Sequence, residues 1–427
     1  MSNEEPVFNR YLVVIGAIIV QLCLGAIYAW SAFKAALVRL PADGGVYNWL
    51  DTSGALPFSA GLFFFALVMV LAGRLQDRMG PMKIAAIGGV FLGAGYILAS
   101  FVDILFAGNE LLGTLWLVIT YGAIGGAGIG FAYVCPIAAL VKWFPDIKGL
   151  ITGIAVAGFG AGAIIFFYVE EALIQISGNS LSLAFLVLGI IYLVLVLLGS
   201  FLLRNPPEGW LPPDYTPPPK PAVTSDKEDY EWQEMLRKPQ FYLLWLMFAI
   251  AAAAGLMTIG NIATFTKTAA DFAQVVNATW LVMTSYSIFN AAGRIIWGAV
   301  SEKLGRIITM IAMFAILGVT MILFGLQSSV LMMLIGASVI GFCFGGNFAL
   351  FPSTTADYFG TKNLGLNYAL VFTAYGFAGI FGPILSAGIV DNFGGNYALA
   401  FAILGVLAFG AVILAFISEY LNRKASR

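Results

Sequence analysis

Ser287, Asn290 and Arg294 stand three and four residues apart inside a long apolar stretch, so on a helix they share one polar stripe. Arg294 carries the chemistry. It lies eight residues before Glu302, the first charge of the following loop, and that is about 12 Å of helix. Arg294 is thereby expected near the middle of a membrane, where a guanidinium costs about 3 kcal/mol or more. A buried acid would ordinarily offset that cost, yet all 22 acidic residues read as belonging to termini, loops or span ends. The missing counter-ion is then an anionic substrate, whose carboxylate a guanidinium fork binds through two parallel hydrogen bonds. The competing reading has Arg294 snorkelling to the nearer interface; three polar groups on one stripe favour a lined cavity instead.

Other chemistry is absent from the composition. The chain has no histidine, which removes the commonest metal ligand and general base, so His-based hydrolase triads and metal sites are excluded. Cys23, Cys135 and Cys343 lie far apart in apolar runs and read as small core residues. No metal and no cofactor is expected.

The elements that must position Arg294 are membrane helices. Of 427 residues, 60% are hydrophobic and 10% charged, against about 25% charged in a soluble domain. Mean hydropathy is +0.93, and apolar runs lie near 11–33, 56–75, 84–102, 111–140, 149–169, 181–203, 241–264, 273–300, 307–326, 329–355, 365–390 and 396–417. Each is long enough for a spanning helix and lacks the alternation of a barrel strand, so an all-α membrane protein with twelve transmembrane helices is expected. No small-residue cleavage site follows the first run, so no removable signal peptide is expected.

Residues 204–240 hold 9 of the 17 prolines and read as a solvated linker. The expected organisation is a six-helix bundle over 1–203, a cytoplasmic linker over 204–240 and a second six-helix bundle over 241–427. Lys and Arg number 17 on the side holding both termini and three on the other side, which predicts cytoplasmic termini in the cell membrane. The halves also echo each other. Gly73, Asp77, Arg78 and Gly80 after the second span correspond to Gly298, Glu302, Lys303 and Gly305 after the eighth. Such a repeat suggests two pseudo-symmetric bundles with a site between them.

These residues resemble a known superfamily. The Gly73–Lys83 loop looks like the signature loop of major facilitator superfamily carriers, with Pro81 where a basic residue is usual. Gly25-Ala-Ile-Tyr28-Ala-Trp30-Ser-Ala-Phe33, Lys142-Trp143-Phe144-Pro145-Asp146, Pro239-Gln240-Phe241 and Ala349-Leu350-Phe351-Pro352-Ser353-Thr354 together resemble its oxalate/formate antiporter branch, which is similar to the monocarboxylate transporters. The resemblance implies the major facilitator fold and alternating access to a central small-anion site. It implies conformational roles for Gly73, Asp77, Arg78, Glu302 and Lys303, although Arg78 reads equally well as an orientation charge. It carries the site's aromatic positions onto Tyr28, Tyr133, Phe344, Phe348, Phe372 and Phe159. Taken singly, each tyrosine reads about equally well as core, and each Phe reads more readily as core than as site.

The resemblance also bears on charge. The oxalate-carrying relatives have a second cation in span 11, and alignment on Gly379-Ile380-Phe381-Gly382 places Tyr375 there. One fixed charge suits a monocarboxylate such as L-lactate; a dianion would keep an uncompensated buried charge. Asn290 occupies the position where monocarboxylate transporters usually carry a proton-binding Asp, and Lys34 lies near, not on, the position of their span-1 Lys. A proton riding on the substrate carboxyl and anion exchange both remain open. Dense glycine in spans 4–5 and 10–11 reads as close helix packing, with local breaks expected at Pro136, Pro352 and Pro383. An enzyme would need a nucleophile with a base or a buried carboxylate pair, and neither can be assembled. A secondary transporter is expected, working as a monomer in the lipid bilayer on a small monocarboxylate anion and a proton, with no nucleic-acid partner.

Overall fold

A computed structural model describes residues 8–106, 108–207, 210–212, 229–360 and 363–425. Twelve long helices organise it. The first six are α1 (Arg10–Leu37), α2 (Asp51–Met79), α3 (Pro81–Ala99), α4 (Glu110–Trp143), α5 (Lys148–Ile176) and α6 (Ser182–Leu202). The second six are α7 (Pro239–Thr266), α8 (Ala278–Leu304), α9 (Arg306–Phe324), α10 (Val330–Phe359), α11 (Leu364–Asn392) and α12 (Tyr397–Ala425). Among the described residues, eleven helices are long and apolar enough to cross a membrane. The remaining long helix is α8, whose 27 residues reach about 40 Å. Its polar stripe lowers its hydropathy, and packing between α5 and α10 shelters that stripe from lipid.

Each set of six forms a bundle, and the bundles meet most extensively through two helix pairs, α2 against α11 and α5 against α8, with α1 against α7 beside them. Second helix of one bundle faces fifth helix of the other, twice, as an internal repeat requires. The two signature loops share a backbone. Gly80 turns α2 into α3 at φ 85°, ψ 158°, and Gly305 turns α8 into α9 at φ 89°, ψ 150°. That region is open to glycine and strained for other residues, which explains why both halves keep a Gly at the same offset.

One expectation about the backbone is corrected. Pro136, Pro352 and Pro383 lie inside helices that continue through them. Each proline removes one N–H, and the chain on either side supplies enough hydrogen bonds and neighbouring helices to keep going. The irregular turns fall elsewhere: α1 passes through a 3-10 turn at Ala26–Ala29, and α4 is π-helical over Val118–Gly125.

The linker prolines at 213–221 and its charges at 214–228 lie outside the described residues. Its flanks are held. The Trp143 indole donates to the Arg204 carbonyl at 2.6 Å, and the Tyr230 N–H donates to the Phe359 carbonyl at 3.1 Å. This end, with Arg10, Lys83, Arg204 and Arg306, is called the basic side below. On the opposite side Asp103 accepts from Tyr47 at 2.5 Å, Ser180 at 2.5 Å and Ser182 at 2.7 Å, tying three loops of the first bundle. Burial, with the Asp103 charge added, pushes the Tyr47 phenol above its ordinary range.

Candidate functional site

Arg294 is buried, 5% exposed, on the face of α8 that meets α5. Three of its features decide what it can do. Its Nη1 donates to the Val156 carbonyl of α5 at 2.9 Å. Its Nε donates to the Asn290 Oδ1 at 3.2 Å, one turn back. Its Nη2 has no partner, and neither has the Asn290 Nδ2. Two buried N–H donor groups side by side, one of them cationic, leave hydrogen bonds that a carboxylate would complete. The snorkelling alternative does not describe this side chain.

Local sequence explains the placement. A Cβ at Gly345 of α10 would collide with the Asn290 carbonyl, and one at Gly293 with the Phe342 carbonyl. The glycines let α8 and α10 touch backbone to backbone, which fixes the rotation of the polar stripe. Gly160 of α5 leaves room opposite, since a Cβ there would stand 3.5 Å from the Arg294 Nε and from the Asn290 Nδ2. Ser287, further along the stripe, is also buried.

The aromatic positions converge on this point from both bundles. The Tyr28 and Tyr375 hydroxyls share a hydrogen bond of 2.9 Å between α1 and α11. Tyr28 sits in the 3-10 turn of α1 and meets Phe159 edge-on at 5.1 Å between centroids, and Phe344 at 5.9 Å. Tyr133 meets Phe159 at 5.2 Å and Phe372 at 6.3 Å. Phe348 contacts Tyr375 at 5.7 Å and Phe344 at 5.3 Å, and the Arg294 guanidinium stands 4.1 Å from its ring centroid. A ring face so placed stabilises the cation without neutralising it. All nine residues expected around the anion therefore lie in one assembly, eight of them buried and Phe348 half-buried.

The conformational positions are less engaged. Arg78, Glu302 and Lys303 are exposed at helix ends on the basic side, and nothing lies within 4 Å of a Cβ built on Gly73. The Asp77 side chain lies outside the described part of the structure. In the second loop Arg306 bonds the Ser301 hydroxyl and reaches Asp357 at 3.5 Å.

Four further contributors emerge, of which only Lys34 is singled out in the sequence, and there without its partners. Phe65 of α2 packs against Tyr133, Phe159, Phe372 and Tyr375, but a Phe in a uniformly apolar run gives no signal. Val156 contributes a main-chain oxygen, which no side-chain pattern shows. Lys34 is 1% exposed, forms an ion pair with Asp51 and donates to the Asn261 Oδ1 at 2.5 Å. That contact links α1 and α2 to α7 on the side opposite the basic loops. Beside it, the Asp391 carboxylate accepts the Asp51 and Thr52 N–H groups, each at 2.9 Å, capping α2 from the other bundle.

The fourth corrects an expectation outright. Glu170 is 0% exposed within α5, so the acids are not all at termini, loops and span ends. The apolar run ends at Val169, but the helix continues to Ile176. Neighbouring tyrosines bury this carboxyl, which hydropathy along one chain segment does not register.

Twelve helices in two paired bundles around a central buried cation define a carrier architecture. The profile of the Major Facilitator Superfamily matches residues 12–281 and 262–427, and the chain belongs to that superfamily. It is 32% identical over 377 residues to the MFS-type transporter YhjX of Escherichia coli, covering 87% of this chain and 86% of that one. It is 32% identical over 396 residues to the oxalate:formate antiporter of Oxalobacter formigenes, covering 89% of each. At 26% identity over 465 residues it is similar to apicoplast pyruvate carrier 1 of Toxoplasma gondii, covering 87% of this chain and 82% of the carrier.

Proposed function

We propose that the protein carries small monocarboxylates such as L-lactate together with a proton, by alternating access between its two bundles. The observation that carries this reading is the pair of unpartnered donors, Arg294 Nη2 and Asn290 Nδ2, inside an aromatic assembly. A carboxylate accepts from both, while the Phe faces suit a methyl group better than a second carboxylate. Charge counting points the same way. Lys34 is a second buried cation, but Asp51 neutralises it, so the charge left for a substrate is that of Arg294. A monoanion neutralises it; a dianion leaves a buried negative charge costing several kcal/mol.

Relatives named for oxalate and formate and for pyruvate support small organic anions as the class. A second reading, exchange of one organic anion for another, is favoured by the 32% identity to the antiporter over 89% of both chains. Under either reading the carrier works as a monomer in the cell membrane with both termini and the 204–240 linker cytoplasmic, between bundles at 1–203 and 241–427. The Lys34–Asn261 and Asp391–Thr52 contacts then close the outer side.

Ligand-induced thermal stabilisation of the purified protein tests the substrate class, since only a bound state shifts the melting temperature. L-Lactate and pyruvate should stabilise and oxalate should not. Stabilisation by oxalate equal to that by lactate contradicts the monocarboxylate assignment.

A further inference from the structure

Glu170 has both carboxyl oxygens buried without a hydrogen-bond partner. The groups facing it are Tyr96 from α3, Tyr121 from α4 and Tyr192 from α6, with Cys23 of α1 behind Tyr192. No charged side chain among the described residues is one of them. The Tyr121 and Tyr192 hydroxyls are likewise buried without partners. The three rings pack together, Tyr96 with Tyr192 at 4.9 Å and with Tyr121 at 5.1 Å.

An ionised carboxylate in such a place, with no cation near, costs several kcal/mol, and the neutral acid costs less. Buried acids inside spans are also where transporters hold protons. Two further observations bear on movement. Tyr121 lies in the π-helical stretch Val118–Gly125 of α4, a wide turn of the kind that collects at functional sites. Glu170 also shares the α5 face of Phe159 and Phe166, eleven residues and about 16 Å beyond Phe159. The same helix supplies the Val156 carbonyl that holds Arg294, so any shift of α5 acts on the anion site and on Glu170 together.

We propose that Glu170 is the proton-carrying residue of this transporter, an inference that rests on the proton-coupled reading above. In the closed arrangement it holds the proton as a neutral acid. When the first bundle rearranges and water reaches Glu170 from the basic side, the carboxyl O–H bond breaks and the proton passes to that water. The carboxylate left behind gains the Tyr121 and Tyr192 hydroxyls as donors. Reprotonation comes from water admitted on the side opposite the basic loops, so the proton moves inward with the anion. One proton and one monoanion thereby cross per cycle with no net charge.

The test uses the full-length protein in proteoliposomes. Wild type should accumulate L-lactate under an inward proton gradient, and Glu170→Gln, which keeps the shape and removes the titration, should lose that accumulation while retaining lactate counterflow. Two results overturn the assignment: E170Q responding to the gradient as wild type does, or E170Q losing counterflow and gradient-driven uptake together while correctly folded. Glu170→Asp provides an arm that stands even where E170Q fails to insert. It should retain gradient-driven uptake with a displaced pH profile, and an unchanged profile overturns the assignment. Where wild type itself ignores the gradient, the proton-coupled reading falls; where wild type responds and E170Q does too, only the role of Glu170 falls.

Discussion

The Arg294 Nη1 of α8 donates to the Val156 carbonyl of α5 at 2.9 Å, so the buried guanidinium that is left for a ligand also bridges the two bundles. A ligand that engages its free Nη2 acts on an interface. Binding there would couple to rearrangement through one side chain, since a ligand shifts conformations only through differential contact with them.

Arg294→Lys should therefore inactivate transport although charge is kept. Lysine offers a point charge in place of a planar fork, so the Val156, Asn290 and ligand contacts cannot be made together. Losing charged contacts worth about 3 kcal/mol predicts lactate uptake lower by about 100-fold. Uptake in vesicles holding matched amounts of folded protein checks this.

Tyr375→Lys adds a second positive charge beside Tyr28, which Tyr375 now contacts at 2.9 Å. The variant should bind oxalate, which the wild type is expected to reject, and bind lactate more weakly. Thermal stabilisation by each anion measures the change. A folded variant with no oxalate-dependent shift would show that shape and not charge sets selectivity.

Gly345→Ala probes placement of the polar stripe. Its Cβ would meet the Asn290 carbonyl, whereas nothing lies within 4 Å of a Cβ on Gly410. Moving the donors by a fraction of an ångström should lower uptake by about tenfold or more, while Gly410→Ala leaves it unchanged. Initial rates for the two variants side by side decide it.

Asp51→Asn strands the Lys34 charge, which is 1% exposed. Breaking a buried pair by removing one partner costs about 3–5 kcal/mol, and that cost falls on the arrangement in which α1, α2 and α7 are joined. The variant should spend more time open on that side. A cysteine introduced at Tyr28 should then react faster with an impermeant thiol reagent; Cys23, Cys135 and Cys343 are buried and give a low background. An unchanged labelling rate would remove the contact as a gate.

Much of this is legible in the chain itself. Hydropathy and the Gly-acid-base-Gly echo gave the spans and the repeat, because lipid forces helices and the repeat shares a positive-φ glycine at Gly80 and Gly305. Arg294 stood out because a mid-span guanidinium is costly. Glu170 did not, because its burial comes from Tyr96, Tyr121 and Tyr192 on three other helices. Lys34 was visible but not its partners, since pairing across α1, α2 and α7 is a property of assembly. The prolines misled for a related reason: neighbouring helices carry the chain straight through Pro136, Pro352 and Pro383.

Uptake of labelled L-lactate into proteoliposomes, with and without an inward proton gradient and with and without internal formate or lactate, tests the central claim most directly. A lactate anion entering alone works against an inside-negative potential at about 2.3 kcal/mol per 100 mV, and pairing with a proton removes that cost. The account predicts accumulation above equilibrium under the gradient with no internal anion present. Uptake that ignores the pH step and appears only with an internal counter-anion contradicts it and assigns the protein to organic-anion exchange.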